Sequence, residues 1–456
     1  MGTVGLSFGS ATSGQGFDVT TTVTQILASE KAIETPWNNQ LTALKAQDAV
    51  LTSLGTDLSA LSTSLQALTD FQGVFSAKLG SSSNTNVLDL TSASAAAVTG
   101  SHTIEITQLA QTSSNASTAV SAANNTLSGT LTIQGHTFNV DSADNNNTLS
   151  SLSAAINAAA IGVTASVITD SSGSRLSIVS GTSGAAGQLT ISASLTDASS
   201  NPVTFPSGSG QGQVGQDAKL TVDGVSVTSP SNTVTTVIPG ITFQLLALST
   251  APVQVQITDD TTSIGTAISS FLSAYNKVIG DINTQEGKDS SGNPEPLLGS
   301  PVLAQLQGAL TSSLFTGAAS GSIKNITQLG ISMNNDGTLT LNADTLNSAL
   351  NSHLADVTGF LQNSGSFGQS LSTTLNNLGT QAPNGSIFLA QQQNAAQESA
   401  LNTDISNEET LLSAQKTQLT SQLNAANQIL QSIPSQLNQI NEIYSAITGF
   451  NQNRTG

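Results

Sequence analysis

Cysteine is absent from the 456 residues. Such a chain can build no disulfide framework, no thiolate metal site and no cysteine nucleophile. Charge is scarce as well: Asp, Glu, Lys and Arg together make up 8%, against about 25% in an ordinary soluble domain. The charge present leans one way, 28 acidic side chains against 10 basic, for a net −18. A surface so poor in cations cannot neutralise phosphates, which argues against nucleic acid as a partner. Aromatic residues are 13 Phe, 2 Tyr and 1 Trp, so any large core has to be aliphatic. No apolar run approaches the roughly 18 residues of a membrane span. The opening MGTVGLSFGSATSGQGFDV has no positive charge before Lys31 and no apolar core, so no Sec-type signal peptide is expected. Cysteine-free, sparsely charged and rich in Ser, Thr and Asn, the chain suits work outside a bacterial cell. On composition alone a cytoplasmic location stays open.

What is present begins with two apolar stripes, one near each end. Asp18 followed by Thr20, Thr21 and Thr22 predicts a helix start before Val23, Ile26 and Leu27. Trp37, Leu41, Leu44, Leu51, Leu54, Leu58, Leu61, Leu65 and Leu68 then follow at steps of three and four, with Asp48 in the one gap. That is a coiled-coil pattern. Near the other end Ile405, Leu412, Leu419, Ala426, Ile433, Ile440 and Ile447 stand seven apart, with Leu423, Leu430, Leu437 and Tyr444 in a second seam. The remaining faces are mostly Gln, Asn, Ser and Thr, which add little charge pairing. Pro434 lies inside this stripe and is expected to kink or break the helix. Two readings are open: the stripes form an internal antiparallel hairpin, or they are partner-seeking surfaces ordered on assembly.

Between about residues 101 and 258 the period changes to two. Ile104 and Ile106 alternate with polar residues, as do Leu131 and Ile133, then Phe138 and Val140 across Gly135-His136. Leu220 and Val222 face Val225 and Val227 across Asp223-Gly224, a hairpin signal. Pro239-Gly240 precedes Ile241, Phe243 and Leu245, and Val253, Val255 and Ile257 make a last strand. One short helix, Leu149 to Ile156, is stopped by Gly162, and Gly and Ser at 207–215 read as a linker. Helical spacing returns with Ile264, Ile268, Phe271, Leu272, Tyr275, Ile279 and Ile282, then Leu303, Leu306, Leu310 and Leu314. A hairpin around Asn335-Asp336-Gly337 and a helix from Leu346 to Leu361 follow.

The expected class is therefore a multidomain α+β protein: a coiled-coil or helical-bundle stalk from both chain ends, with β-rich domains inserted. Its expected parts are terminal legs (1–45 and 400–456), a helical stalk domain (46–95 and 259–399), a β-rich domain (96–118 and 214–258) and an inserted β-rich domain (119–213).

Signals of chemistry are weak. Gly210-Gln211-Gly212-Gln213-Val214-Gly215 spells GxGxxG, but a dinucleotide site needs a strand before it and a helix after. His102, His136 and His353 are isolated, and neither Asn334–Gly337 nor Asp141–Asn147 has the spacing of a calcium loop. Asp259-Asp260 lacks a cleft partner for acid–base work and reads as the start of the next helix. Asn115 and Asn325 fall in sequons that so Asn- and Thr-rich a chain produces by chance. No enzyme activity, metal or cofactor is expected.

Several segments resemble one family. Gly16-Phe17-Asp18-Val19 with Val23, Gln25, Ile26, Leu27 and Glu30 is similar to the opening of the flagellar filament cap family, FliD or flagellar hook-associated protein 2, with Phe17 in place of the usual Leu. HTIEITQLAQ (102–111), IPGITFQL (238–245), FLSAYNKVIGDIN (271–283), PLLGSPVLAQLQGAL (296–310) and LGISMNNDGTLTLNADTLNSAL (329–350) resemble its later segments. Residues 148–192 resemble the IN module that flagellins and hook-associated proteins share.

The resemblance implies a non-enzymatic assembly factor exported through the flagellar type III channel without a cleaved signal. It implies a homo-oligomeric ring, a pentamer or a hexamer, at the extracellular filament tip, which promotes flagellin folding and polymerisation and prevents flagellin loss. Flagellin, the hook–filament junction protein and a cytoplasmic export chaperone are the implied partners. The expected self-assembly residues are Trp37, Leu41, Leu44, Leu51, Leu54, Leu58, Leu61, Ile405, Leu412, Leu419, Leu430, Ile433, Leu437, Ile440 and Ile447. A hook–filament junction protein, a flagellin variant, and an adhesin acting through the β domains are the competing readings.

Overall fold

The computed structural model describes residues 16–207 and 212–448. Among them are eight α-helices: α1 (Val19–Lys31), α2 (Glu34–Thr69), α3 (Leu149–Ala158), α4 (Thr261–Gln285), α5 (Pro301–Ser313), α6 (Ala343–Gln362), α7 (Phe367–Leu378) and α8 (Ser386–Thr448). The chain forms two compact units. One takes the residues up to Thr69 and from Ala267 on; the other is Asp70–Thr266. Helices from both chain ends pack together, and the β-sheets lie between them in sequence, so the class is α+β as its periodicity indicates.

In the helical unit, α1 starts where the Asp-Thr run predicts. The Asp18 carboxylate accepts from the Thr21 amide at 3.1 Å and from the Thr21 hydroxyl at 2.6 Å. These bonds hold its pKa below the usual carboxylate value, the hydroxyl contributing most. α2 packs along α8, α7 and α6. Its Leu51, Leu54, Leu58, Leu61, Leu65 and Leu68 are each no more than 2% exposed, and each such burial is worth about 1.5–3 kcal/mol. α7 offers Phe367, Leu371, Leu375 and Leu378 from one face, and Phe367 stacks on Phe360 of α6 at 5.2 Å between ring centres. The i, i+4, i+8, i+11 spacing of those four residues is itself a helix signal in the sequence. α4 is tied to α2 by Lys277, whose Nζ lies 3.3 Å from Asp57 and 2.5 Å from Asp281.

Tyr275 of α4 is fully buried, and burial pushes its phenol up to about 12, partly opposed by the Thr311 hydroxyl. The unfolded chain sheds this proton near the ordinary tyrosine value of 10, and the folded chain keeps it until about 12. Stability from this group is complete below pH 10 and is lost as pH rises through that window, by about 2–3 kcal/mol. Tyr275→Phe keeps the ring and removes the titration. Its denaturant midpoint should fall less than that of the wild type between those two pH values; equal falls would contradict the assignment.

The β unit holds two cores. A five-stranded antiparallel sheet runs in the order Lys78–Ser82, Val253–Asp259, Gly100–Gln108, Ala218–Val222, Val225–Ser229. With the three-stranded sheet Thr233–Val234, Ile241–Leu245, Leu88–Ala93 it encloses Ile104, Ile106, Leu220, Phe243, Val255 and Ile257. The second core, around Leu131, Ile133, Leu149, Leu152, Ile156 and Ile178, belongs to the sheet Pro202–Val203, Ile191–Asp197, Leu127–Ile133, His136–Val140, to α3, and to the sheet Thr112–Ala116, Gly173–Ser183, Val163–Asp170.

The hairpin at Asp223-Gly224 forms as expected, with φ of 52° and 82° and Val222 opposite Val225. The other early hairpin is corrected by one residue. Its turn is Gln134-Gly135, with φ of 50° and 81°, and His136 already pairs with Ile133. A two-residue turn of this hand needs positive φ at both positions, and the glycine supplies the second. α3 ends at Ala158, four residues before the expected stop at Gly162, and Ala160 already has φ of 49°. The β region also begins earlier than residue 101. Lys78–Ser82 turns Leu79 outward and its other positions are Lys, Gly and Ser, so no apolar alternation announces it. Its partner Val253–Asp259 supplies that alternation instead.

Candidate assembly surface

α8 is 63 residues long and changes environment along its length. Ile387, Asn394, Leu401 and Leu412 are buried in turn, and no described residue of α8 after Leu412 is. Trp37, Leu41 and Leu44 of α2 gather with Leu401 and Ile405 in one small apolar cluster. α1 continues the contact farther along, and the Phe17 amide donates to Asn427 Oδ1 at 2.9 Å. Beside it, Leu27, Lys31, Glu34, Glu409, Leu412 and Lys416 line a cleft of about 480 Å³.

The expected assembly residues therefore divide into three sets. Leu51, Leu54, Leu58 and Leu61 are sealed inside the helical unit. Trp37, Leu41, Leu44, Ile405 and Leu412 lie on the seam that α8 makes with α1 and α2 of the same chain, with Leu419, Leu430 and Ile433 half-buried farther along α8. Leu437, Ile440 and Ile447 are 42%, 60% and 79% exposed. Ile429, Ile443 and Tyr444, outside the expected assembly set, add to this exposed group. A run of large apolar side chains open to water on one helix is the kind of patch that a partner covers.

Pro434 does not break the helix: α8 is continuous from Ser386 to Thr448 with Pro434 inside it. The proline still removes one amide donor. On a helix this open to solvent, water can take the freed carbonyl, so the interruption need not become a break.

Elsewhere the polar signals resolve into local structure. Asp260 caps α4, accepting from the Ser263 amide at 2.9 Å and its hydroxyl at 2.6 Å, which keeps its pKa low. Asp259 instead closes its strand in an ion pair with Lys78. Asp336 Oδ1 accepts from Thr338 within the turn, and Asn146 likewise closes the Asp141 loop. His102 lies 2.7 Å from Asp223, His353 lies 3.8 Å from Asp356, and His136 packs edge-on against Phe138. Of the GxGxxG run, Gly210 and Gln211 fall outside the described residues; Gln213 bridges to Ser114 and Gly215 donates to Gln188 Oε1. Among the described residues no three His, Cys, Asp or Glu side chains are placed to hold a metal, and no helix is long and apolar enough to cross a membrane.

Comparison with known proteins decides the family. The model of the flagellar hook-associated protein 2 N-terminus matches residues 15–113, and that of its C-terminus matches residues 215–435. The chain belongs to the flagellar hook-associated protein 2 family. Among its relatives, the B-type flagellar hook-associated protein 2 of Pseudomonas aeruginosa is 33% identical over 376 residues, covering 75% of this chain and 78% of that protein. The flagellar hook-associated protein 2 of Escherichia coli is 31% identical over 362 residues, 74% of this chain and 76% of that one. Among solved structures, the D1-D2-D3 domains of the flagellar cap protein FliD from Escherichia coli match 76% of this chain and 99% of their own, at 28% identity and a TM-score of 0.57. The resemblance read from the sequence is confirmed, and with it membership of a family of structural cap proteins that are not enzymes.

Proposed function

We propose that this hook-associated protein 2 assembles into a ring, a pentamer or a hexamer, at the distal tip of the flagellar filament, outside the cell. There it promotes flagellin folding and polymerisation and keeps subunits from escaping. The observation that supports this reading is the exposed apolar run of α8, Leu437, Ile440, Tyr444 and Ile447, which no part of the described chain buries. In the proposal the terminal segments, within 1–45 and 400–456, form the legs, residues 46–69 and 267–399 the stalk, and Asp70–Thr266, which takes in strands Lys78–Ser82 and Leu88–Ala93 with both β-rich parts, the lid. Leu437, Ile440 and Ile447 meet neighbouring copies, while Leu51, Leu54, Leu58 and Leu61 hold the stalk of each copy together. Flagellin, the junction protein and an export chaperone are the proposed partners, and export proceeds through the type III channel. A chain without cysteine cannot be trapped by disulfides on the way.

Deleting the gene tests the reading. The expected strain sheds unpolymerised flagellin into the medium and swims poorly; normal-length filaments would instead favour a junction protein or a flagellin variant. If that strain keeps its filaments but a chain lacking residues 115–213 loses surface attachment, the adhesin reading gains. Because the proposed contacts are aliphatic and the legs carry few charges, ring assembly should depend weakly on ionic strength. A steep loss of oligomer between low and high salt, followed by light scattering, would contradict that.

A further inference from the structure

The seam between α2 and α8 holds a charged residue where its stripe calls for a leucine. Asp48 stands between Leu44 and Leu51, both buried. Its Oδ1 accepts from Nδ2 of Asn394 at 2.9 Å, and Asn394 is itself only 9% exposed. One turn along, Gln391 Nε2 donates to Thr52 Oγ1 at 3.0 Å. Next comes Gly55, where an added Cβ would lie 3.8 Å from Ile387 Cγ2. On the other side of the pair, Leu41 and Leu44 cluster with Leu401 and Ile405. The two helices run antiparallel in a single register through all these contacts: seven residues forward on one matches seven residues back on the other.

Apolar packing alone chooses that register only in part: a slip of one heptad sets Leu41 against Glu408 or Asn394, but it keeps other apolar residues of the two stripes level. Ile405, Leu412 and Leu419 repeat at seven-residue intervals. A slip of one heptad therefore brings Leu412 level with Trp37 and Ile405 level with Leu44. The flanking Gln, Asn, Ser and Thr supply few charge pairs to decide the matter. Residues 379–385, which join α7 to α8, can span up to about 23–25 Å when extended, and a heptad slip moves a helix by only about 10 Å. The polar pair does discriminate. A slip one way sets Asp48 against Leu401 and the other way against Ile387, both buried, so the half-buried carboxylate loses its bond to Asn394 and gains an apolar neighbour instead.

The geometry points to Asp48 and Asn394 as the pin that fixes the register of α2 on α8. The pin also sets where Leu437, Ile440 and Ile447 stand along the stalk, about 10 Å per heptad. That consequence rests on the proposed assembly role; the pin itself does not.

Cross-linking the full, otherwise cysteine-free chain tests it. Gln47 and Gln393 line the same groove, so Gln47→Cys with Gln393→Cys reports the observed register to a short bismaleimide. Gln47→Cys with Ala400→Cys, or with Ser386→Cys, reports a slip of one heptad either way. Reaction within one chain is scored on the monomer band, apart from dimers. With Asp48 and Asn394 present, the first pair alone should react. In D48L/N394L, with helicity retained, a slipped pair should gain about fivefold or more in yield. D48A/N394A, which adds no bulk, should shift the same way, and D48N, which keeps a hydrogen bond to Asn394, should hold the native pattern. Slipped pairs that stay at background in both double variants overturn the pin, and so does slipped reaction while the pin is intact. Motility does not enter these readouts, so a failed cap assignment and a failed pin are distinguishable.

Discussion

Replacing Leu61 with alanine is expected to destabilise the helical unit by about 3–4 kcal/mol, the largest effect of a single truncation on α2. Leu61 is 0% exposed, in the run from Leu51 to Leu68 along which α2 packs on α7 and α6. The change removes the transfer free energy of three carbons, and the well-packed helices around the gap relax only partly, so a cavity term adds to the loss. Leu371 and Leu375 of α7 are themselves buried and have little freedom to refill the space. Urea denaturation followed by helical ellipticity measures the change. A loss below about 1 kcal/mol would mean that the bundle collapses onto the gap and that the buried stripe is not the principal support of the unit.

The second large effect should appear in assembly and leave the fold alone. Ile440→Asp with Ile447→Asp places two carboxylates on a surface that is open to water in the single chain, so helicity and denaturation midpoint should stay within about 0.5 kcal/mol of the wild type. In an assembled ring the same carboxylates would be buried without partners, which costs several kcal/mol per contact. The variant should therefore fail to restore filament growth to a strain lacking the gene, although it is made and folded normally. Full restoration would show that these residues face solvent in the working assembly and that the ring is held elsewhere.

The contrast between these two sites shows what could be read from the sequence. Leu61 and Ile440 belong to equally regular apolar stripes, and both helices form where the spacing predicts. Periodicity gives the face of a helix; it does not say whether the same chain or another copy covers that face. Leu61 is covered inside the helical unit, where α2 packs on α8, α7 and α6, and α7 is marked in the sequence by its four apolar positions. Ile440 is open because none of the described helices reaches that far along α8. The strand Lys78–Ser82 was illegible for another reason, since its pairing comes from Val253–Asp259 and not from its own side chains. Asp48 showed in the sequence only as a gap in a stripe. Its partner is 346 residues away, and tertiary structure alone brings the two within 2.9 Å. The family motifs, by contrast, lie in contiguous segments and needed no fold to be recognised.

The most direct measurement is the mass in solution, by light scattering, of the whole chain and of a chain ending at residue 429, each compared with its calculated monomer. The whole chain should show five- or six-fold its monomer mass, and the shortened chain should be a folded monomer with unchanged β-sheet content. A shortened chain that still forms the full ring, or a whole chain that stays monomeric at every concentration tested, would contradict assembly through the exposed end of α8.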